Sequence, residues 1–496
     1  MAALMTTTWN GALSLKTTKS ARVDFFAGVL RGTPEMRLKS LMAASYAEDP
    51  LHTLKIVAYL RDIRGGKGER LAGRLALRWL AECAPEALTH NLHLYVSEYG
   101  RYDDLLALMG TQLEITALTV FSDQLRADLA AIDDEAGTVS LCAKWVPSEN
   151  KAADKQNHVT AKLARRMGLS RAELRKKYLS PLRARLQLLE RFMCAKEWEA
   201  IDLNKVPSVA MHRYGQKEHV FARHLGEAFA AWKAGLKTGE TKVNATVLFP
   251  HQVVERYYNK GGDVDPLVEA QWSALVQEGR KLGVLSRTLV MSDVSGSMTG
   301  LPMLISIALG LFISELAQDE YKDLVMTFET KPQFHHVRGT SLQERVANLA
   351  SAPWGGSTNL LAALRLILNL ACRKAITGDK MPERIIIVSD MQFNEADGRF
   401  RTNYELAHDM FKRAGYEIPH VVFWNVNGAV TDFPTLGSQA KVSLVSGYSH
   451  SIMKATLNGT SITPFDTMLE AINDERYDRI QLPPAVPDAP LAPLST

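Results

Sequence analysis

Asp293, Ser295 and Ser297 form an Asp-x-Ser-x-Ser run directly behind the apolar stretch Thr288-Leu-Val-Met291. One carboxylate and two hydroxyls at the end of an apolar strand offer hard oxygens, the donors that Mg²⁺ requires in a near-octahedral array. Open α/β sheets bind ligands at this end of their strands. Two further loops extend the pattern. Gly355-Gly-Ser-Thr-Asn359 is a glycine turn that delivers Thr358 at a helix start, and Val388-Ser-Asp-Met391 places Asp390 just past an apolar strand. Each piece also has a plainer reading, with Ser297 and Thr358 as helix caps and Asp390 as a solvated turn residue. What favours a shared cation is the order of the parts: strand, DxSxS, helix; GGSTN, helix; apolar strand, SD, about 65 and 30 residues apart.

These loops need a sheet to hold them. From Ser286 the pattern alternates strand and helix. Strands are expected at Arg287–Ser292, Leu324–Glu329, Gln333–Val337, Arg384–Ser389, His420–Trp424 and Lys441–Ser446. Helices are expected at Pro302–Gln318, Leu342–Ser351, Asn359–Ala375, Asn403–Ala414, Ser451–Leu457 and Pro464–Asn473. Ile385-Ile-Ile-Val388 is apolar throughout, as a strand covered on both faces must be. The pattern describes a doubly wound, mostly parallel, Rossmann-like sheet.

Residues from about 35 to 235 instead show helical periodicity with short turns. Expected helices include Met36–Tyr46, Leu51–Arg61, Glu69–Cys83, Thr89–Tyr99, Thr116–Ile132, Lys155–Met167, Ser170–Lys177, Arg183–Ala195 and His219–Lys233. An α-solenoid is favoured over a bundle, although no repeat of fixed period is present. The expected division is therefore a helical domain over 1–245, a connecting segment over 246–285 with a hinge at Gly261 and Gly262, an α/β domain over 286–480, and a Pro/Ala-rich tail over 481–496.

Hydrophobic residues make up 46% and charged residues 23% of the 496, with a net charge of only +4, as in ordinary globular proteins. The four scattered cysteines form no CxxC pair, which argues against a zinc site or disulfide framework and suits a reducing, cytoplasmic setting. The start of the chain lacks a basic region ahead of an apolar core, so no secretory signal is expected. Leu301 to Ile313 falls short of the roughly 20 residues that cross a bilayer. It reads as a buried helix, and no membrane partner is expected. A monomer is the expected oligomeric state.

The C-terminal half resembles the von Willebrand factor A domain, and its three loops match that family's metal-ion-dependent adhesion site. The resemblance implies Ser295, Ser297 and Thr358 as direct ligands of Mg²⁺ (or Mn²⁺ or Ca²⁺), with Asp293 and Asp390 bound directly or through water. It also implies one vertex left for a partner's carboxylate or phosphate oxygen. With no evident general base beside the ion, the chain is expected not to be an enzyme. His335, His336 and His408 read as packing or surface residues. In the other half, Thr8-Trp-Asn-Gly-Ala-Leu-Ser14, Arg61-Asp-Ile-Arg-Gly-Gly-Lys-Gly-Glu-Arg70, Tyr99-Gly-Arg-Tyr-Asp-Asp-Leu105, Lys144-Trp-Val-Pro-Ser148 and Val206-Pro-Ser-Val-Ala-Met211 resemble the DUF2828 family. That architecture is similar to the TROVE-domain Ro proteins, RNA-binding rings of HEAT-like helices closed by an A-domain.

Between Ala161 and Arg191 stand ten Lys or Arg against two Glu, a local +8. Concentrated charge of this kind is the footprint of phosphate binding. The nucleic-acid candidates are Arg165, Arg166, Arg171, Arg175, Lys176, Lys177, Arg183 and Arg185, with Trp145 and Tyr178 as possible stacking planes. The competing reading is a solvated helix face that pairs with Asp103, Asp104 and Asp133–Glu135. The loop Arg64–Arg70 is read as a helix–helix turn more readily than as a phosphate cradle, because no strand precedes it. The expectation is a metal-dependent binding protein for structured RNA. The alternative is an adaptor that binds a partner protein's acidic residue, and a metal-dependent hydrolase is the third class.

Overall fold

The computed structural model describes the chain except for residues 1–3, 135–136, 217–218, 259, 261, 329–330, 353–357, 396–401, 458–462 and 485–496. A short antiparallel hairpin, β1 (Met5–Thr7) and β2 (Leu13–Leu15), opens it. Six strands build the C-terminal half: β3 (Thr288–Asp293), β4 (Leu324–Phe328), β5 (Phe334–His336), β6 (Arg384–Ser389), β7 (His420–Asn425) and β8 (Val442–Ser446). Their order is β5-β4-β3-β6-β7-β8, with β5 antiparallel at one edge and the others parallel. This is the expected doubly wound sheet, and β6 falls on the residues anticipated for it. β3 and β6 are buried along their whole length. The helix Leu301–Leu316 lies against β3, so close that a β-carbon on Gly310 would sit 2.2 Å from Ser292 Oγ.

The other half is helical, beginning with α1 (Ala21–Gly28), α2 (Glu35–Glu48), α3 (Pro50–Arg61), α4 (Arg70–Cys83), α5 (Pro85–Ser97) and, after a 3₁₀ turn, α6 (Glu114–Ala130). Asp49 caps α3 by accepting the His52 N–H, and Pro50 takes its first position, where no N–H is needed. Phe26, Tyr59 and Leu88 of this half share one continuous apolar core with Ile386 and Trp424 of the sheet. A smaller core gathers Leu189, Val206, Met211, Phe221, Phe229 and Trp232 with Leu267.

Several expected helices are interrupted. Lys155–Met167 breaks at His158 (φ 52) and Arg183–Ala195 at Gln187 (φ 45), while His219–Lys233 kinks at Gly226 (φ 47). Left-handed backbone ends a right-handed helix whatever the hydropathy pattern. Ser170–Lys177, by contrast, runs on through a π-helical turn, Arg175–Leu179, into a helix ending at Arg185. Pro250–Val254, expected to lie outside helix, forms a short one. Of the expected hinge, Gly262 has φ 133 and Gly261 lies outside the described residues.

The turn between α3 and α4 joins the two halves. Gly66 is required there, because a β-carbon would lie 2.0 Å from the Tyr59 carbonyl oxygen. Lys67 is fully enclosed, and its ammonium donates to the Phe26 carbonyl, to the Val29 carbonyl at 2.8 Å and to Ser446 Oγ of β8 at 2.8 Å. Buried Asp62 accepts from the Arg476 guanidinium and, at 3.1 Å, from the Tyr477 hydroxyl. The loop is thus a helix–helix turn whose lysine is spent on docking. Arg61, at the end of α3, is buried against Asp104 at 2.8 Å.

Burial pushes the Lys67 amine down to about 7, with Glu69 opposing the shift. Unfolded Lys67, with its ordinary value near 10.5, therefore holds a proton that the folded chain releases above about 7. Stability should rise from pH 7 to 9 by up to about 1.4 kcal/mol per pH unit. Lys67→Met should flatten that rise, as denaturant titrations of both proteins would show; parallel pH profiles would count against the assignment.

Candidate metal centre and basic face

The chain leaves β3 toward β4 on one side and later enters β6, β7 and β8 on the other. The point where the winding reverses, between β3 and β6, is where open α/β sheets leave a crevice for ligands. Parallel register pairs Ser292 with Val388, so Asp293 and the Ser389–Asp390 pair emerge together.

Asp293 is 0% and Asp390 1% exposed. Asp293 Oδ1 accepts the Ser295 N–H at 2.9 Å, and its Oδ2 accepts the Ser389 hydroxyl at 2.5 Å. The Ser295 and Ser297 hydroxyls lie 3.1 Å apart, and the Ser297 side chain counters the rise in the Asp390 pKa. Asp390 accepts the Gln392 N–H at 3.1 Å. Burial, reinforced by the neighbouring Asp390, pushes Asp293 up to about 7 against its serine bonds. Burial raises Asp390 as well. Exposed Ser297 and Gly296 mark the open side.

Thr358 is fully buried and engages the third loop. Its hydroxyl donates to the Gln392 carbonyl at 2.5 Å and lies 3.3 Å from Asn394 Oδ1. Gly355, Gly356 and Ser357 lie outside the described residues. Asn359 caps the following helix by accepting the Ala362 N–H. Among the described residues no cluster of three His, Cys, Asp or Glu side chains could hold a metal. The donor set here is two carboxylates with hydroxyls, which suits a hard cation such as Mg²⁺.

Sequence reasoning missed the residues that bind these loops to the N-terminal arm. The Asn10 amide donates to the Gln392 carbonyl at 2.6 Å and to Thr358 Oγ1 at 3.3 Å. The Trp9 N–H donates to Gln392 Oε1 at 2.5 Å, the Thr8 hydroxyl donates to the Phe393 carbonyl at 2.7 Å, and Gly11 bridges to Asn394. The Trp9 side chain is 93% exposed. Ser389 was visible as the residue before Asp390, but only register gives it a role. Nothing local in Thr8–Gly11 marks a partner nearly 400 residues away.

In the basic segment Arg165, Arg166, Arg175, Lys176 and Lys177 are exposed and form no ion pair among the described residues. The π-helical turn carries the last three. Arg171 pairs with Glu149 at 3.0 Å, and Arg185 Nε donates to the Ile132 carbonyl at 3.3 Å. Arg183 differs from expectation. It donates to the Ala143 and Val146 carbonyls at 2.8 Å each, which spends its fork on the fold. Asp103 and Asp104 are held by Arg61, Arg74 and Arg101 rather than by this segment. Lys162, however, pairs with Glu114 at 2.7 Å, so the competing reading of a face paired with acidic neighbours holds in part; Glu135 lies outside the described residues. The Arg101 guanidinium, 4.0 Å from the Trp145 ring centre, occupies one proposed stacking plane. His335 is a packing residue, 2.9 Å from Asn348 Oδ1.

The chain belongs to the DUF2828 family: the domain of unknown function DUF2828 matches residues 8–116 and 111–285. A second domain of unknown function, DUF7788, matches residues 287–483. An uncharacterized protein, L728, of Acanthamoeba polyphaga mimivirus is 31% identical over 94% of this chain and 86% of its own. Among solved structures, the crystal structure of the Deinococcus radiodurans RO (RSR) protein aligns with 92% of this chain and 99% of its own, at 14% identity and a TM-score of 0.44. No helix among the described residues is long and apolar enough to cross a membrane.

Asn10→Ala should release the arm from the loops at a cost of about 1–2 kcal/mol. Hydrogen exchange should quicken at residues 8–12 and 392–394 while the sheet strands stay protected. Unchanged exchange at those residues would show that Asn10 does not hold the arm.

Proposed function

We propose that the chain is a non-enzymatic, metal-dependent binding protein. A divalent cation of the Mg²⁺ class sits among Asp293, Ser295, Ser297, Thr358 and Asp390 and offers an open vertex to a partner's phosphate or carboxylate oxygen. The observation that carries this reading is the pair of buried carboxylates, Asp293 and Asp390, whose bonding partners are hydroxyls and backbone amides. Like charges side by side in a dry site repel each other and resist ionisation. A divalent ion offsets both. Its remaining ligands are neutral hydroxyls, so the ion keeps positive charge and favours an anionic oxygen from outside. Among the described residues no imidazole or amine bonds the two carboxylates, which supports holding over cutting.

Structured RNA is the ligand we favour, on the strength of five exposed cations, Arg165, Arg166 and Arg175–Lys177, that form no ion pair among the described residues. Their phosphate contacts would make binding fall steeply with salt. Trp9 supports a second reading, an adaptor for a protein that supplies an acidic residue. An aromatic side chain 93% exposed beside the site has the character of an interface anchor.

Calorimetric titration of MnCl₂ into the full chain should show one ion taken up, and Asp293→Ala should abolish the uptake. Wild-type protein that takes up neither Mn²⁺ nor Mg²⁺ would falsify the metal reading. Nucleic acid that copurifies at low salt should wash off at high salt. The triple reversal Arg175→Glu, Lys176→Glu, Lys177→Glu should weaken RNA binding by about tenfold or more. Retention equal to wild type, together with metal-dependent capture of an acidic protein, would turn the reading to the adaptor.

A further inference from the structure

The opposite end of the sheet holds a buried cation that neither the metal site nor the basic segment uses. Register places Thr288 of β3, Arg384 of β6 and His420 of β7 side by side, and paired residues of adjacent strands face the same way. Lys441 stands at the start of β8, its carbonyl accepting the Val421 N–H. Arg384, His420 and Lys441 border a cleft of about 710 Å³, walled elsewhere by Met381, Pro382 and Ile418.

Arg384 is 5% exposed. A guanidinium carries five N–H donors and, in a protein, a permanent charge. Nη2 of Arg384 donates to the Leu457 carbonyl at 3.3 Å, whereas its buried Nε has no acceptor among the described residues. The carboxylates at the cleft are held by others: Glu383 by Arg287 at 3.1 Å and Glu417 by Lys441 at 2.6 Å. Arg287 and Lys441 both have left-handed backbones, at φ 42 and φ 57, a conformation that costs energy in residues other than glycine and gathers at binding sites. An enclosed charge is expensive unless paired. Burial outweighs the one carboxylate that acts on Arg384, Glu383, which is itself bonded to Arg287.

We propose that this cleft is an oxyanion-binding site. It takes a small molecule with a phosphate, sulfate or carboxylate head on an apolar body. Arg384 grips the head from the floor, Lys441 adds charge at the rim by exchanging exposed Glu417 for the ligand, and Met381, Pro382 and Ile418 receive the body. The volume lies within the roughly 300–1,000 Å³ of small-molecule sites. Strand β6 separates this pole from the metal pole by about 17 Å, so the two sites act on different groups.

The test uses metal-free full-length protein and inorganic phosphate as the probe, followed by calorimetry. Wild type should bind phosphate, Arg384→Met should bind at least about tenfold more weakly, and Lys441→Ala a few-fold more weakly. Asp293→Ala and the Arg175/Lys176/Lys177 reversal should match wild type, which separates this site from the metal centre and the basic face. Absence of phosphate binding to wild type, or equal affinity in Arg384→Met, overturns the proposal. If Arg384→Met does not fold, Lys441→Ala decides, and unchanged affinity there also overturns it.

Discussion

The burial of two like charges at one pole of a sheet governs most of what surrounds them. Asp293 and Asp390 meet because β3 and β6 are parallel neighbours in register, although nearly a hundred residues separate the strands in sequence. Each carboxylate loses its water and, among the described residues, gains hydroxyls and backbone N–H groups, so that burial leaves both resisting ionisation. Hydroxyls in that position serve two ends. They satisfy the carboxylates in the structure, and on the proposed function they would be neutral ligands for a hard cation. A lysine or arginine in the same place would neutralise the pole permanently and leave it unable to draw an outside anion.

The helical half reaches this pole by two routes, both through its own polar groups. Asp62 and Lys67 tie the α3–α4 turn to Arg476, Tyr477 and Ser446, which sets the helices against β8 and the end of the chain. The arm then runs back along the sheet. Leu15 pairs with Phe433 through both backbone groups, at 2.9 and 2.8 Å, and Asn10 ends on Thr358 and Gln392. Each contact is a modest stabilisation once exchange with water is counted. Their effect is geometric: a segment of the helical half forms part of the rim of the candidate centre, and exposed Trp9 stands beside it.

What could be read in advance follows the range of the interactions involved. Ile385–Val388 is apolar because both faces of β6 are covered, and that is written in four consecutive letters. The DxSxS, GGSTN and SD loops were legible because each follows a strand or starts a helix. Arg183 was misread because its charge is visible in sequence, while the carbonyls of Ala143 and Val146 that absorb its donors are not. The breaks at His158 and Gln187 escaped notice because residues other than glycine there adopt left-handed backbone, which hydropathy does not encode. The arm was invisible for a third reason. Its partners lie hundreds of residues away and include main-chain carbonyls, which carry no sequence identity.

The sheet is polarised along its strands. The carboxyl ends carry buried acid, and the amino ends carry a buried arginine at the first residue of the same strand that finishes in Ser389. Helix dipoles lean the same way at the acidic end, since the helix Leu360–Lys374 starts beside Thr358 with its positive N-terminus toward that pole. That partial positive charge lies beside the third loop, where the Thr358 hydroxyl meets the Gln392 carbonyl. At the other pole the balance is reversed, with a full positive charge enclosed and the nearby carboxylates bound elsewhere. On the functions proposed above, a cation would complete the first pole and an anion the second, at opposite ends of one strand of six residues.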